Sequence, residues 1–176
     1  MNIHPFLVHF PIAFLSVYSL AELARFRFIT FRTYWFYIKA SFVAIGALGA
    51  GVAYKTGKIA RDLLGEGGLD QLVEIHSRWA KLSTVIFGFI AVLYALAWIS
   101  RSETMGRIES HFKLGEIWIY TISKKAVNYL VNSAIMVVPA FVGLVSIVVT
   151  GALGGALVYG PDIDPFVRFI YDLILR

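Results

Sequence analysis

The four histidines carry most of the chemical potential of this 176-residue chain, because it has no cysteine. Without thiols there are no disulfides, no thiolate-held iron–sulfur cluster, no covalently attached c-type haem and no cysteine nucleophile. Imidazole is the one good soft-metal ligand left. His4 and His9 open one apolar segment, His76 opens another, and His111 lies in a connection between apolar segments. His9 is followed by Ala13 and Ser16, and His76 by Ala80 and Ser83, at the same spacings of four and seven. Those spacings place each trio on one helix face. Small residues beneath an inward-pointing imidazole leave room for a flat group, and a porphyrin held by two axial histidines on facing helices has that shape. His9 and His76 are therefore candidate axial ligands of a haem b iron. Arg78 and Lys81 lie where they could neutralise haem carboxylates. The same pattern also arises from small-residue helix packing, with imidazoles hydrogen-bonding between helices. A third chemistry is a copper or zinc ion on His4, His9 and His76, with Glu74 nearby.

The elements that position these residues follow from composition. Hydrophobic residues make up 59% and charged residues 15% of the chain, and the mean hydropathy is +0.74, where a soluble domain carries about 25% charged residues. A bilayer core of about 30 Å takes roughly 20 mostly apolar residues per helix. Four segments qualify, at about 3–24, 33–54, 72–100 and 127–150. The fold expected is a single all-α integral membrane domain over residues 1–176: a four-transmembrane-helix bundle with a short C-terminal interfacial helix. The first segment lacks the basic start of a signal peptide and is read as a retained span. Lys39, inside the second, lies near enough to an end to snorkel.

Basic residues set the orientation. Arg25, Arg27, Arg32, Lys39, Arg101, Arg107, Lys113, Lys124 and Lys125 fall at one membrane face, against Lys55, Lys58, Arg61, Arg78 and Lys81 at the other. The positive-inside rule makes the first group cytoplasmic and places both termini outside, in an inner membrane crossed several times. His4, His9 and His76 then share the outer face. The stretch Lys55–Gln71, with Gly65, Gly67 and Gly68, reads as an outer turn-rich loop. Glu103–Lys125 reads as an amphipathic inner segment in the interface. Near the C-terminus, Phe166, Ile170, Leu173 and Ile174 form one helical stripe, with Asp172 and Arg176 off it.

Depth separates the candidate ligands. His9 lies 16 residues from Arg25 and His76 lies 25 residues from Arg101, roughly 24 and 38 Å of helix. His4, 21 residues from Arg25, matches His76 better. The choice between His4 and His9 is open on sequence. Pro11 removes a helical bond from the Leu7 carbonyl and predicts a kink in the turn that carries His9. Pro139 is expected to act likewise on Ile135 in the fourth span. Gly46, Gly49, Gly51, Ala50 and Ala53 give the second span a small-residue face suited to close helix approach.

The run His4-Pro5-Phe6-Leu7-Val8-His9-Phe10-Pro11-Ile12-Ala13 resembles the HPxxVHFPIA opening of the bacterial membrane-protein family known as domain of unknown function 2231. Thr150-Gly151-Ala152-Leu153-Gly154-Gly155-Ala156-Leu157-Val158-Tyr159 is similar to its TGxxGGxLVY ending, and His76 matches its mid-chain histidine. The resemblance covers most of the chain. It implies a small four-span protein in a respiratory or electron-transfer setting. After Tyr159 the family often has another histidine; here Gly160-Pro161-Asp162 follows, and the pair left in the motif match is His9 with His76.

The function expected is a haem b membrane anchor or electron-transfer subunit acting at the outer face with quinol or a redox partner. One-sided histidines argue against a two-haem path across the membrane. The alternatives are a cofactor-free structural or assembly subunit among other membrane proteins and the copper or zinc site. An independent catalyst lacks support, since there is no Ser/His/Asp set, phosphate loop or paired intramembrane carboxylate. A net charge of +5 on residues that flank apolar runs points to topology and not to nucleic acid.

Overall fold

The computed structural model describes residues 3–25, 33–64 and 69–175. Expectations that concern Arg27, Arg32, Gly65, Gly67, Gly68 and Arg176 lie outside the described residues. Regular structure among the described residues is entirely helical. α1 (His4–Leu7) and α2 (His9–Leu23) are parted only by Val8, because the Pro11 ring nitrogen cannot donate to the Leu7 carbonyl. α3 (Thr33–Leu64) and α4 (Asp70–Ser100) follow, then α5 (Glu103–His111), a 3-10 turn at Leu114–Glu116 and α6 (Trp118–Asn132). A second 3-10 turn, Ala134–Met136, leads into α7 (Val137–Tyr159), and α8 (Pro165–Leu175) closes the chain. Four stretches are long and apolar enough to cross a membrane: His4–Leu23, Tyr34–Asp62, Asp70–Ser100 and Ala134–Tyr159.

Two boundaries differ from the sequence expectation. α3 continues through Lys55 to Leu64, where a loop was expected, since a helix ends where its backbone bonding ends and not where its apolar run stops. The fourth apolar helix is Ala134–Tyr159, not 127–150. Residues Ala126–Asn132 belong to α6, which stops where Ser133 turns extended (φ −84°, ψ 162°) and its hydroxyl accepts from the Ile135 amide at 3.3 Å. Pro139 consequently sits in the first turn of α7, where a missing N–H sacrifices no helical bond.

α2 packs on α3 and α7, and α4 packs on the same two helices, so α2 and α4 are diagonal. Leu15, Tyr18, Val43, Phe87, Ile90 and Tyr94 fill the space between them. Tyr18 meets Phe87 and Tyr94 edge-on, at centroid distances of 6.2 and 5.8 Å. Such packing suits an apolar surround, where close side-chain fit drives helix association more than water exclusion does. Gly143 lets α7 close on Phe87; a Cβ there would lie 2.5 Å from the ring. α8 lies across α4 and α7 through Val167 and Ile170, with Tyr171 and Ile174 beside them. The buried stripe is thus 167, 170, 171 and 174, while Phe166 and Leu173 are exposed. The expected stripe was displaced because Phe166 and Leu173 are apolar without being packed inward.

Candidate functional site

His4 is the first residue of α1, with Pro5 next to it in the first turn. Its Nδ1 lies 3.1 Å from the Thr56 hydroxyl of α3. Thr56 spends its single proton on its own helix, reaching the carbonyls of Val52 (3.1 Å) and Ala53 (3.0 Å). The imidazole and the hydroxyl thus share one hydrogen bond, and the ring also reaches the Ala53 carbonyl in the same turn of α3. One residue on, Gly57 leaves space for the ring: a Cβ there would be 3.0 Å from His4 Cε1.

His76 is built the same way on the other pair of helices. Its Nδ1 donates to the Thr150 carbonyl of α7 at 3.1 Å, since a carbonyl can only accept. One turn along, Gly154 lies under the ring, where a Cβ would come within 3.2 Å of Cε1. Each hairpin of long helices thus seats a histidine against a threonine oxygen and a glycine of the next long helix. His4, at the start of α1, and His76, near the start of α4, lie at the same end of the bundle.

His9 is placed differently. It is exposed, and its Nδ1 lies 3.2 Å from the Phe6 carbonyl one turn back. Ala13 is exposed and Ser16 half-buried on the same helix. On α4, Ser83 is buried with its hydroxyl on the Trp79 carbonyl at 3.0 Å, and Ala80 is half-buried. With α2 and α4 diagonal and the tyrosine–phenylalanine core between them, the two His/Ala/Ser trios do not line a common space. Arg78 and Arg61 both donate to Glu74, at 3.1 and 3.0 Å, so their guanidinium groups already hold a carboxylate. Lys81 is exposed, and Lys58 lies over the Tyr54 ring at 5.5 Å. Among the described residues, no three His, Asp or Glu side chains gather as a metal-ligand group.

The donor chemistry fits an imidazole-ligated group at His76 with His4. In metal-bound histidines the second ring nitrogen is characteristically committed to an oxygen acceptor, which fixes the tautomer and raises ligand basicity. The Thr150 carbonyl supplies that commitment to His76, and Thr56 holds the His4 ring at 3.1 Å.

A second polar cluster lies toward the other end of the bundle and was missed from sequence. Glu22 and Lys39, both buried, form an ion pair at 2.7 Å. Tyr94 donates to the same carboxylate oxygen at 3.1 Å. Arg25 approaches the other oxygen at 3.6 Å and donates to the carbonyls of Ser133 (2.6 Å) and Asn132 (2.9 Å). Lys39 does not snorkel, because a carboxylate within the bundle outcompetes the route to the surface. Opposite charges on adjacent apolar spans were the available signal. Gly46-Ala47-Leu48-Gly49 on α3 recurs as Gly151-Ala152-Leu153-Gly154 on α7, but that register sets Thr150 opposite Ile45 and Gly154 opposite Gly49, so it carried no signal for Thr56 or Gly57.

Neither a family model, nor a curated protein, nor a solved structure matches the chain.

Proposed function

We propose that the chain is a four-span protein of a bacterial inner membrane, with its histidine end outside, that holds haem b as an anchor or electron-transfer subunit. His76 and His4, the latter in place of His9, would hold its iron. The observation that carries this reading is the paired seating of His4 and His76 at one end of the bundle, each with Nδ1 at 3.1 Å from a threonine oxygen of another long helix. The basic residues at the Arg25 and Arg101 end support the orientation, and the opening that resembles the four-span family supports a respiratory setting.

A bound haem supplies a one-electron carrier near the outer face, within reach of quinol or an extrinsic redox subunit. The chain's own contribution is positional. Thr150 holds His76 in one tautomer, Thr56 bonds the His4 ring, Gly57 and Gly154 leave the rings their seats, and α3 and α7 keep α1 and α4 in register. The same hydrogen bonds also favour a second reading, a cofactor-free assembly subunit whose histidines brace the helices.

An oxidised-minus-reduced visible spectrum of the full-length protein from haem-replete cells divides the two. The haem reading expects a b-type signal that is lost in His76→Ala and in His4→Ala and retained in His9→Ala. A colourless wild-type protein overturns it. Elemental analysis then separates a copper or zinc site from the structural reading.

A further inference from the structure

We propose that α5 and α6 form an interfacial hairpin that recruits anionic phospholipid headgroups at the Arg101 end of the bundle. This inference rests on the membrane reading above.

One side of α6 is committed to protein. Val131 is wholly buried in the core, Val127 packs beside it, and Asn128 donates to the Ser100 hydroxyl of α4 at 3.0 Å. Those contacts turn Trp118, Ile119, Ile122 and Tyr129 outward, and Trp118 is 73% exposed. A helix face with tryptophan at one end and tyrosine at the other, on a segment that runs into an apolar spanning helix, has the chemistry of the bilayer interface.

The charges are sorted by the fold. Lys113, in the left-handed conformation (φ 50°), turns the chain between α5 and α6. Glu109 accepts hydrogen bonds from Tyr120 and Lys124, so this carboxylate is spent inside the hairpin. Arg107, Lys113 and Lys125 remain exposed, against Glu103 and Glu116. Arg107, His111 and Phe112 lie side by side on the exposed surface of α5 and its C-terminal cap. A guanidinium and an imidazole beside an aromatic wall match a phosphodiester with acyl chains attached. The occupant that satisfies both the apolar face and the Arg107 patch is a lipid, with its phosphate at α5 and its chains along α6.

The test uses the full chain in nanodiscs of zwitterionic lipid containing a fixed fraction of brominated phosphatidylglycerol or of brominated phosphatidylcholine. Trp118 fluorescence is read as the difference between wild type and Trp118→Phe. Bromine should quench Trp118 from both lipids, with a roughly twofold or greater excess for the anionic one. Arg107→Gln combined with Lys113→Gln, both at exposed positions, should remove that excess and keep the zwitterionic quenching. Equal quenching by the two lipids in the wild type overturns the proposal, as does an excess that survives the double substitution. So does a Trp118 quenched by aqueous acrylamide and untouched by bromine. Trp98 on α4, read through Trp98→Phe, is the internal reference. If it too escapes bromine, the membrane reading itself has failed.

Discussion

Lys39 Nζ lies 2.7 Å from Glu22 Oε2, and neither side chain reaches the surface. The pair joins α2 to α3. Tyr94 adds α4 through the same oxygen, and Arg25 adds the α6–α7 junction through two carbonyls. Four parts of the fold meet on one carboxylate. Two opposite charges in a low-dielectric surround hold each other strongly, but each is costly if its partner goes.

Removing one partner should therefore cost more than removing both. Glu22→Gln or Lys39→Met alone should destabilise the protein by about 3–5 kcal/mol, and Glu22→Leu with Lys39→Met should recover most of that loss. Reversible unfolding in mixed detergent micelles measures the three variants. A double substitution as damaging as the sum of the singles would show that the pair is not energetically coupled.

Glycines that look alike in the sequence should respond oppositely to alanine. At Gly143 a Cβ would sit 2.5 Å from Phe87 Cζ, a ring with no room to withdraw. Gly143→Ala should cost about 1–3 kcal/mol through overpacking. At Gly88 nothing lies within 4 Å of the added carbon, and Gly88→Ala should be neutral or gain up to about 1 kcal/mol in helix propensity. Paired melting curves separate the two.

The docking of α8 yields a similar contrast. Ile170 is packed against α4 and α7, and Leu173, one turn on, is exposed. Ile170→Ala should cost about 2–5 kcal/mol, and Leu173→Ala should stay within about 0.5 kcal/mol. Protease nicking near Gly160 reports on the first, since a loosened α8 exposes the turn that precedes it.

The long helices were legible because apolar runs near the length of a bilayer core announce themselves. Their true ends were not: Lys55–Leu64 is polar helix, and Ser133 breaks an uncharged stretch that hydropathy reads as continuous. Among the histidines, helix rise matched His4 to the depth of His76 better than His9 but left the choice between them open. Which way each ring turns was illegible. His9 and His76 carry the same downstream pattern, yet only His76 faces a neighbouring helix, because rotation about a helix axis is decided by what the other helices offer. Thr150 and Gly154 receive His76; the exposed face of α2 leaves His9 to its own backbone.

The Glu109 clasp predicts how the α5–α6 hairpin responds to pH. Hydrogen bonds from Lys124, then Tyr120, hold the Glu109 carboxyl below the ordinary carboxylate range. A depressed acid lends stability that is complete above its unfolded value and is lost as pH falls through the folded one. Tyr120, bonded to Glu109, is pushed up to about 12. Its contribution is complete below the ordinary phenol value and is lost as pH rises from about 10 toward 12. The hairpin should thus stay closed from about pH 5 to about pH 10 and loosen on either side. Trp118 emission, taken as the wild type minus Trp118→Phe difference from acid to alkaline pH, follows the opening. In Glu109→Gln the acid transition should vanish, because no carboxylate is left to protonate. An acid transition unchanged in that variant would place its origin elsewhere in the chain.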